Sequence, residues 1–320
     1  MVVDEERAER SADSQKGRAV RLAAAFGIDA NAVSVLDGGN QNHVVRLATG
    51  GRDLVVRFAR DGSRMVADPF DVEAWCAQAI TASMVMTPEV IERGHVDGVS
   101  VLIQAFVSGT PAAADDLAAW RAVGRIAAAL SVVDTSDAPE SLFSRFGRDL
   151  GQAWAEHIDY NIHALDGADP LLELGVYEVG QLAQLRTMLG HLRSRHLVQG
   201  LVHGDLSTRN LIAVDGGQYV VVDWGSAQTG PTPWADLELI HRWWVTGDRE
   251  TRVSRAAWDA VLVGAGLTAA YVDPILRELS TLHALDVVRW ARDVKPDRLP
   301  QLVAQSTGTI RRSLSARALR

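Results

Sequence analysis

The chain has 320 residues, 47% of them apolar, a formal net charge of −8 and one cysteine. That length allows two domains or one domain of two lobes, and the apolar share excludes wholesale disorder. The acidic balance argues against a general nucleic-acid binder, which would carry a basic stripe. Cys76 has no partner for an intrachain disulfide, which points to a reducing compartment. The opening "MVVDEERAER" lacks the basic-then-apolar order of a signal peptide, and no apolar run approaches the length of a bilayer span. The expectation is a soluble, cytoplasmic protein, monomer or dimer, with neither nucleic acid nor membrane as partner.

Residues 10–26 read as a helix ending near Gly27. From there to about residue 107, short apolar runs alternate with turn signals. "VSVL" is followed by "DGGNQN", then "HVVRLA", "TGGR" and "DLVVRFA", so the last two runs make a hairpin across a Gly-Gly turn. A helix is expected over 69–84, then a second hairpin from "EVIERGHV" through "DG" to "VSVLIQAFV". Beyond "SGTP" at 108–111 the pattern turns helical, near 115–134, 148–164, 178–197, 235–246, 254–265 and 271–292. Only "NLIAV", the turn "DGG" and "QYVVVDW" interrupt it with strand-like runs. The reading is an α+β protein: a small strand-rich lobe over 1–103, a hinge at 104–110 and a larger helical lobe over 111–320. A cleft between lobes is a favoured place for a small-molecule site.

The chemistry concentrates in "LVHGDLSTRNLIAVDGGQYVVVDWG", residues 201–225. His203, Asp205 and Asn210 stand in the order H-x-D-x-x-x-x-N, and Asp223 follows after a hairpin in D-W-G. Carboxylates against apolar runs are costly unless paired, hydrogen-bonded or holding a metal. Phosphoryl transfer needs this set: one carboxylate to orient the acceptor hydroxyl, and oxygen ligands to hold Mg²⁺ against nucleotide phosphates. Order and spacing match the kinase catalytic loop and metal-binding aspartate. Taken one at a time, each residue has an ordinary alternative, as a helix cap, a turn asparagine or a strand-end aspartate.

These residues resemble the aminoglycoside phosphotransferase and choline kinase-like family, whose fold is the two-lobed protein-kinase-like one. "HGDLSTRN" matches its catalytic loop, "VVVDWGSAQTGP" its metal strand and following turn, and "WADLELIHRWW" the next helix. "FSRFG…W" and the order of elements look most like the hygromycin and macrolide phosphotransferases. The resemblance implies Asp205 as the catalytic base or hydroxyl-orienting group and Asn210 and Asp223 as Mg²⁺ ligands. It makes Asp236 a support of the catalytic loop. His203 is expected to brace that loop, and Arg209 either reaches a phosphate or faces solvent.

On the nucleotide side, Gly38, Gly39, Asn40, Gln41 and Asn42 fit a phosphate loop by place, although a plain turn is the competing reading and no G-x-G-x-x-G is present. Strand alternation puts Leu54, Val56, Phe58 and Arg60 on one face and Val55, Arg57 and Ala59 on the other. Family alignment places Arg57 where protein kinases carry lysine, with Glu73 as its natural partner. Glu73 shares a helix face with Ala77, Ile80 and Met84; the alternative is a solvated charge. The connector "LIQAFVSG" is expected to offer nucleotide contacts at Gln104, Ala105 and Val107.

For the acceptor, Glu238, Asp236, His241, Trp243, Trp244, Trp290, Asp286 and Asp293 are candidates, since acids beside aromatics suit a cationic polyol, while tryptophans in a helical lobe are mostly core. The tail "RRSLSARALR" reads as a solvated helix end. The function expected is Mg²⁺-dependent transfer of the γ-phosphoryl group of ATP or GTP to a hydroxyl of an antibiotic of aminoglycoside, hygromycin or macrolide type. A metabolic kinase for a sugar, choline-like amine or amino alcohol is the alternative within the enzymes, and a silent nucleotide-binding regulator the alternative outside them.

Overall fold

The computed structural model describes residues 2–36, 42–59, 68, 70–246 and 253–315. In chain order it begins with helix α1 (Val2–Ala24) and strands β1 (Ala32–Val35), β2 (Asn42–Ala48) and β3 (Asp53–Ala59). Helix α2 (Asp71–Ala79) passes into a 3-10 turn at Ile80–Ser83 and stops at Met84, whose φ of 60° leaves the helical region. The sequence expectation of one helix over 69–84 is shortened accordingly. Strands β4 (Val90–Val96), β5 (Val99–Ala105) and β6 (Thr110–Pro111) follow, then α3 (Leu117–Ala129), α4 (Leu150–Ala164), α5 (Pro170–Glu173) and α6 (Leu182–Ser194). Asp116 and Asp149 cap α3 and α4 by accepting from their first free backbone N–H groups. The chain continues through β7 (Gln199–Val202), β8 (Leu211–Val214), β9 (Gln218–Val221) and β10 (Gln228–Pro231). It ends with α7 (Trp234–Thr246), α8 (Arg255–Ala265), α9 (Ala269–Val294) and α10 (Leu299–Ser315).

Contacts gather these elements into two compact units, each discontinuous in sequence. The first comprises 1–112, 136–141 and 209–227. Its five-stranded antiparallel sheet runs β1-β2-β3-β5-β4. Val45 and Leu47 of β2, Leu54, Val56 and Phe58 of β3, and Val101 and Ile103 of β5 form one core with Ala19, Leu22 and Ala23 of α1. Leu102 of β5 packs instead with Phe70 and Ala74 at α2. The hairpin β8–β9 belongs to this unit because it is held there: β6 pairs with β8, Val220 bridges Met86, and the Trp224 indole N–H donates to Thr87 Oγ1 at 3.0 Å. Gly109 permits the approach, since a Cβ there would lie 2.3 Å from the Ala213 carbonyl oxygen.

The second unit comprises 113–135, 142–208 and 228–320. Strands β7 and β10 pair antiparallel, and both escaped the sequence reading because four-residue segments with Gly or Pro carry no usable period. Helix α9 packs against α4, α6, α7 and α10. Helices α3 and α8 meet backbone to backbone: a Cβ on Gly124 would lie 2.0 Å from the Val261 carbonyl oxygen, and one on Gly264 2.0 Å from that of Arg121. Helix α10 covers 299–315, where the sequence reading saw only a helix end. Among the described residues no single helix is long and apolar enough to cross a membrane; α8 and α9 approach that only as a pair bent by 102°.

Candidate active site

In the first unit the site is built around Arg57. Register places Arg57 opposite Leu102, on the sheet face that carries Phe70 and Ala74 and away from the α1 core. That face receives α2, whose first turn supplies Glu73. The guanidinium donates through Nη1 to Glu73 Oε2 and through Nη2 to Asp223 Oδ1 at 2.8 Å. Glu73 is buried, whereas the Asp223 side chain is 48% exposed. Burial alone would lower the Arg57 pKa, but the two carboxylates outweigh it and hold the guanidinium charged. Burial likewise pushes Glu73 up, against the pull of Arg57. One oxygen of Asp223 is thus fixed by Arg57 while the carboxylate stays open. The glycine of D-W-G answers to the same packing, because a Cβ on Gly225 would lie 3.1 Å from Glu73 Oε1.

Asn210 reaches Asp223 through the hairpin. Leu211 pairs with Val221, and one rung further the Val222 N–H donates to the Asn210 carbonyl at 3.0 Å. The two residues therefore leave the same end of one ladder. An amide oxygen and a half-exposed carboxylate fit Mg²⁺, which takes one or two protein oxygens and completes its shell with water and phosphate.

In the second unit β7 leads directly into His203, Gly204 and Asp205. His203 is fully buried, and its Nδ1 accepts from the Asp205 N–H at 3.3 Å, so the imidazole braces the loop as expected. Asp236, in the first turn of α7, accepts from the backbone N–H groups of His203 at 3.1 Å and Gly204 at 2.9 Å. Burial pushes its carboxyl up to about 6; the two N–H donors pull it down and nearby Asp205 raises it. Asp205 itself is half-buried, and Arg209 is exposed.

The same unit holds a cavity of ≈ 360 Å³ that reaches Gly204, the neighbour of Asp205. Glu238 and Asp286, both expected at the acceptor site, line it together with Trp154, His157, Arg242 and His283, which sequence reasoning missed. Glu238 accepts from Ser280 Oγ at 2.7 Å and from Arg242 at 3.3 and 3.4 Å. Burial would raise its pKa, but Arg242 and its other partners outweigh that and lower it. His283 is held down by burial, reinforced by Arg242. Asp286 accepts from Asn161 Nδ2 at 2.9 Å and meets His157 Nε2 at 2.8 Å. Glu238 is thus offset by a permanent cation and Asp286 by none among the described residues. The Trp154 indole N–H is shut off from solvent with no acceptor among the described residues. The other expected acceptor groups lie elsewhere. Asp236 is spent on the loop, His241 and Trp244 pack with Trp258, and Asp293 pairs with Arg292. Trp243 and Trp290 do not line the cavity.

A model of the phosphotransferase enzyme family matches residues 32–278, which contain these side chains except Ser280, His283, Asp286, Trp290, Arg292 and Asp293. The chain belongs to the phosphotransferase enzyme family. Membership makes it a kinase-type phosphotransferase. Among solved structures it is similar to a thermostable mutant of the aminoglycoside phosphotransferase APH(4)-Ia, with TM-score 0.59 at 19% identity over 91% of this chain and 97% of that one. It is equally similar to the macrolide 2'-phosphotransferase MphH from Brachybacterium faecium, with TM-score 0.59 at 18% identity over 90% and 97%. The spectinomycin phosphotransferase APH(9)-Ia, in complex with ADP and spectinomycin, gives 0.52 at 11% identity over 93% and 98%. At such identities the likeness is one of fold. No curated protein sequence matches the chain.

The remaining nucleotide-side expectations of this phosphotransferase divide. Gly38, Gly39, Asn40 and Gln41 lie outside the described residues, while Asn42 opens β2 opposite Ala59. Gln104 is buried in β5. The Ala105 N–H donates to the Glu89 carbonyl at 2.8 Å, so any nucleotide contact there falls to its carbonyl. Ala105 and Val107 line an ≈ 820 Å³ depression with Met86 and Val220, to which neither Arg57, Glu73 nor Asp223 belongs.

Proposed function

We propose that this phosphotransferase moves the γ-phosphoryl group of ATP or GTP, with Mg²⁺, to a hydroxyl of a small molecule. An antibiotic of aminoglycoside, hygromycin or macrolide type is the first acceptor class. The observation that carries the donor half is the Arg57 guanidinium shared by buried Glu73 and open Asp223, with Asn210 at the same ladder end. Asn210 and Asp223 would hold Mg²⁺, which supplies charge neutralisation on the phosphates. Arg57 adds a fixed positive charge there, and Asp205 orients the acceptor hydroxyl and takes its proton as the new O–P bond forms and the bond to the β-phosphate oxygen breaks. Asp236 holds the backbone that carries Asp205.

For the acceptor half, the support is Asp286 on the cavity that reaches Gly204, together with the kinship to structures described as antibiotic phosphotransferases, one of them solved with ADP and hygromycin B. A carboxylate without a permanent counter-cation suits an amine-bearing polyol. The cavity of ≈ 360 Å³ is near the lower end of the roughly 300–1,000 Å³ usual for ligand sites, which favours a second reading, a kinase for a sugar or amino alcohol.

Mass spectrometry of an acceptor panel, incubated with enzyme, Mg²⁺ and either nucleotide, tests the proposal. The panel spans aminoglycosides, hygromycin, macrolides, choline and simple sugars. A single phosphoryl increment on one class, absent with Asp205→Asn, is the expected result. Turnover retained in Asp205→Asn would overturn the role of Asp205, and an increment confined to choline or sugars would select the second reading.

A further inference from the structure

A second cavity of the helical unit, ≈ 280 Å³, opens between α7, α9 and α10. Arg242, Arg277 and Arg312 all line it, with Ser280, Thr309 and Ser313 supplying hydroxyls and Asp273 the one carboxylate among the described residues. Three arginines lining one small cavity stand out in a chain whose net charge is −8. Like charges repel there unless anions offset them; Arg242 has Glu238 for this, whereas Arg277 and Arg312 pair with no carboxylate among the described residues. Arg312 donates only to the Thr309 hydroxyl, at 3.2 Å, and the Arg277 guanidinium has no hydrogen-bond or ion-pair partner among the described residues. Arginines arranged in this way, with hydroxyl donors beside them, are the usual means of recognising phosphate, whose oxygens accept paired N–H bonds.

We propose that this cavity binds a dianionic phosphate group, either inorganic phosphate or a phosphate monoester of a small metabolite. The site is separate from the cavity that reaches Gly204, but the two share a wall. Arg242 lines both, and Ser280 lines the second while its hydroxyl donates to Glu238, which lines the first. An anion in the second cavity therefore competes with Glu238 for Arg242. Occupancy would release the Glu238 carboxylate toward the first cavity and strengthen its hold on a cation, a reciprocal coupling between two ligands.

Calorimetric titration of the full chain at low ionic strength, with inorganic phosphate and separately with glycerol phosphate, tests the site. The expected result is saturable binding that persists in Arg57→Met/Glu73→Gln, which disables the nucleotide side without orphaning the buried Glu73 carboxylate, and weakens about tenfold or more in the double variant Arg277→Gln/Arg312→Gln. Both of those arginines are at least partly exposed, so the double variant should keep the wild-type melting temperature. Binding lost in Arg57→Met/Glu73→Gln at an unchanged melting temperature, binding retained in Arg277→Gln/Arg312→Gln, or no saturable binding at all overturns the proposal. Tighter binding of the ester identifies a phosphorylated metabolite as ligand; equal or tighter binding of the free ion identifies inorganic phosphate. Glu238→Gln frees Arg242 and is expected to tighten phosphate binding several-fold, and an unchanged affinity would overturn the sharing of Arg242.

Discussion

Arg57 and Asp223 are 166 residues apart in sequence, yet Nη2 of one donates to Oδ1 of the other at 2.8 Å. The same guanidinium holds Glu73, so strand β3, helix α2 and the end of the β8–β9 hairpin are tied by a single cation. Asp223 carries a φ of 64°, a left-handed backbone that aspartate tolerates better than most residues. Removing the cation would leave Glu73 buried beside Asp223 with no other cation paired to it among the described residues.

Arg57→Met is therefore expected to destabilise the protein by about 3 kcal/mol, the usual effect of orphaning one member of a buried ion pair. It should also lower kcat/KM at least about a hundredfold. Arg57→Lys restores the charge without the planar fork, and should keep part of the activity with a raised nucleotide KM. Adding Glu73→Gln to Arg57→Met should recover stability but not activity. Urea unfolding of the wild type and the three variants checks this; equal stability of Arg57→Met and the double variant would show that Glu73 is not the partner that matters.

Asp236 gives a pH signature. Its carboxyl titrates at about 6 in the fold, against about 4 when unfolded. Between those values the folded chain keeps a proton that the unfolded chain has lost. The stabilisation from this group is thus complete below about pH 4 and is lost as pH rises through about 6. Relative to Asp236→Asn, the wild type should gain about 1.4 kcal/mol on going from pH 8 to pH 5. A stability difference that does not move with pH would remove Asp236 as its source. Activity should run the other way, because the ionised carboxylate accepts from both His203 and Gly204 while a protonated one has an acceptor fewer.

Local periodicity made much of this legible. Alternation in "DLVVRFA" separates Arg57 from the Leu54, Val56 and Phe58 face, and the structure has that face in the α1 core and Arg57 against Glu73. Helical spacing placed α3, α4, α7, α8 and α9 to within a few residues. What the sequence concealed depends on long-range contact. Strands β7 and β10 are strands only because they pair with each other, and the β8–β9 hairpin joins the first unit through Met86 and Thr87, more than a hundred residues earlier. His157 and Asp286 meet across 129 residues from the faces of two helices, where a histidine and an aspartate look like any solvated pair.

The contact between α3 and α8 sets a steric test. Gly124→Ala and Gly264→Ala each push a methyl carbon to 2.0 Å from a backbone carbonyl oxygen of the facing helix. No side-chain rotation can relieve a clash with backbone, so the helices must separate. Each variant should lose about 2–3 kcal/mol in denaturant unfolding. The double variant should lose less than the sum, since one separation relieves both clashes. Strict additivity would mean that the two glycines are not part of a shared contact.

Acceptor charge can be read from the contrast between Asp286 and Glu238. Both carboxylates line the cavity that reaches Gly204, but Arg242 and Ser280 already engage Glu238, whereas Asp286 is met by Asn161 and His157. A cationic group of the acceptor gains most where no fixed cation competes. Asp286→Asn should therefore raise the KM of an amine-bearing acceptor about tenfold, leaving the nucleotide KM and the KM of an uncharged acceptor little changed. Glu238→Gln should have the smaller effect on the same amine. Steady-state kinetics on matched amine and hydroxyl analogues of one acceptor separate these outcomes. A larger loss in Glu238→Gln would mean that the acceptor displaces Arg242 and takes Glu238 as its partner, while equal losses for charged and neutral analogues would assign Asp286 to holding His157 and Asn161 in place rather than to charge recognition.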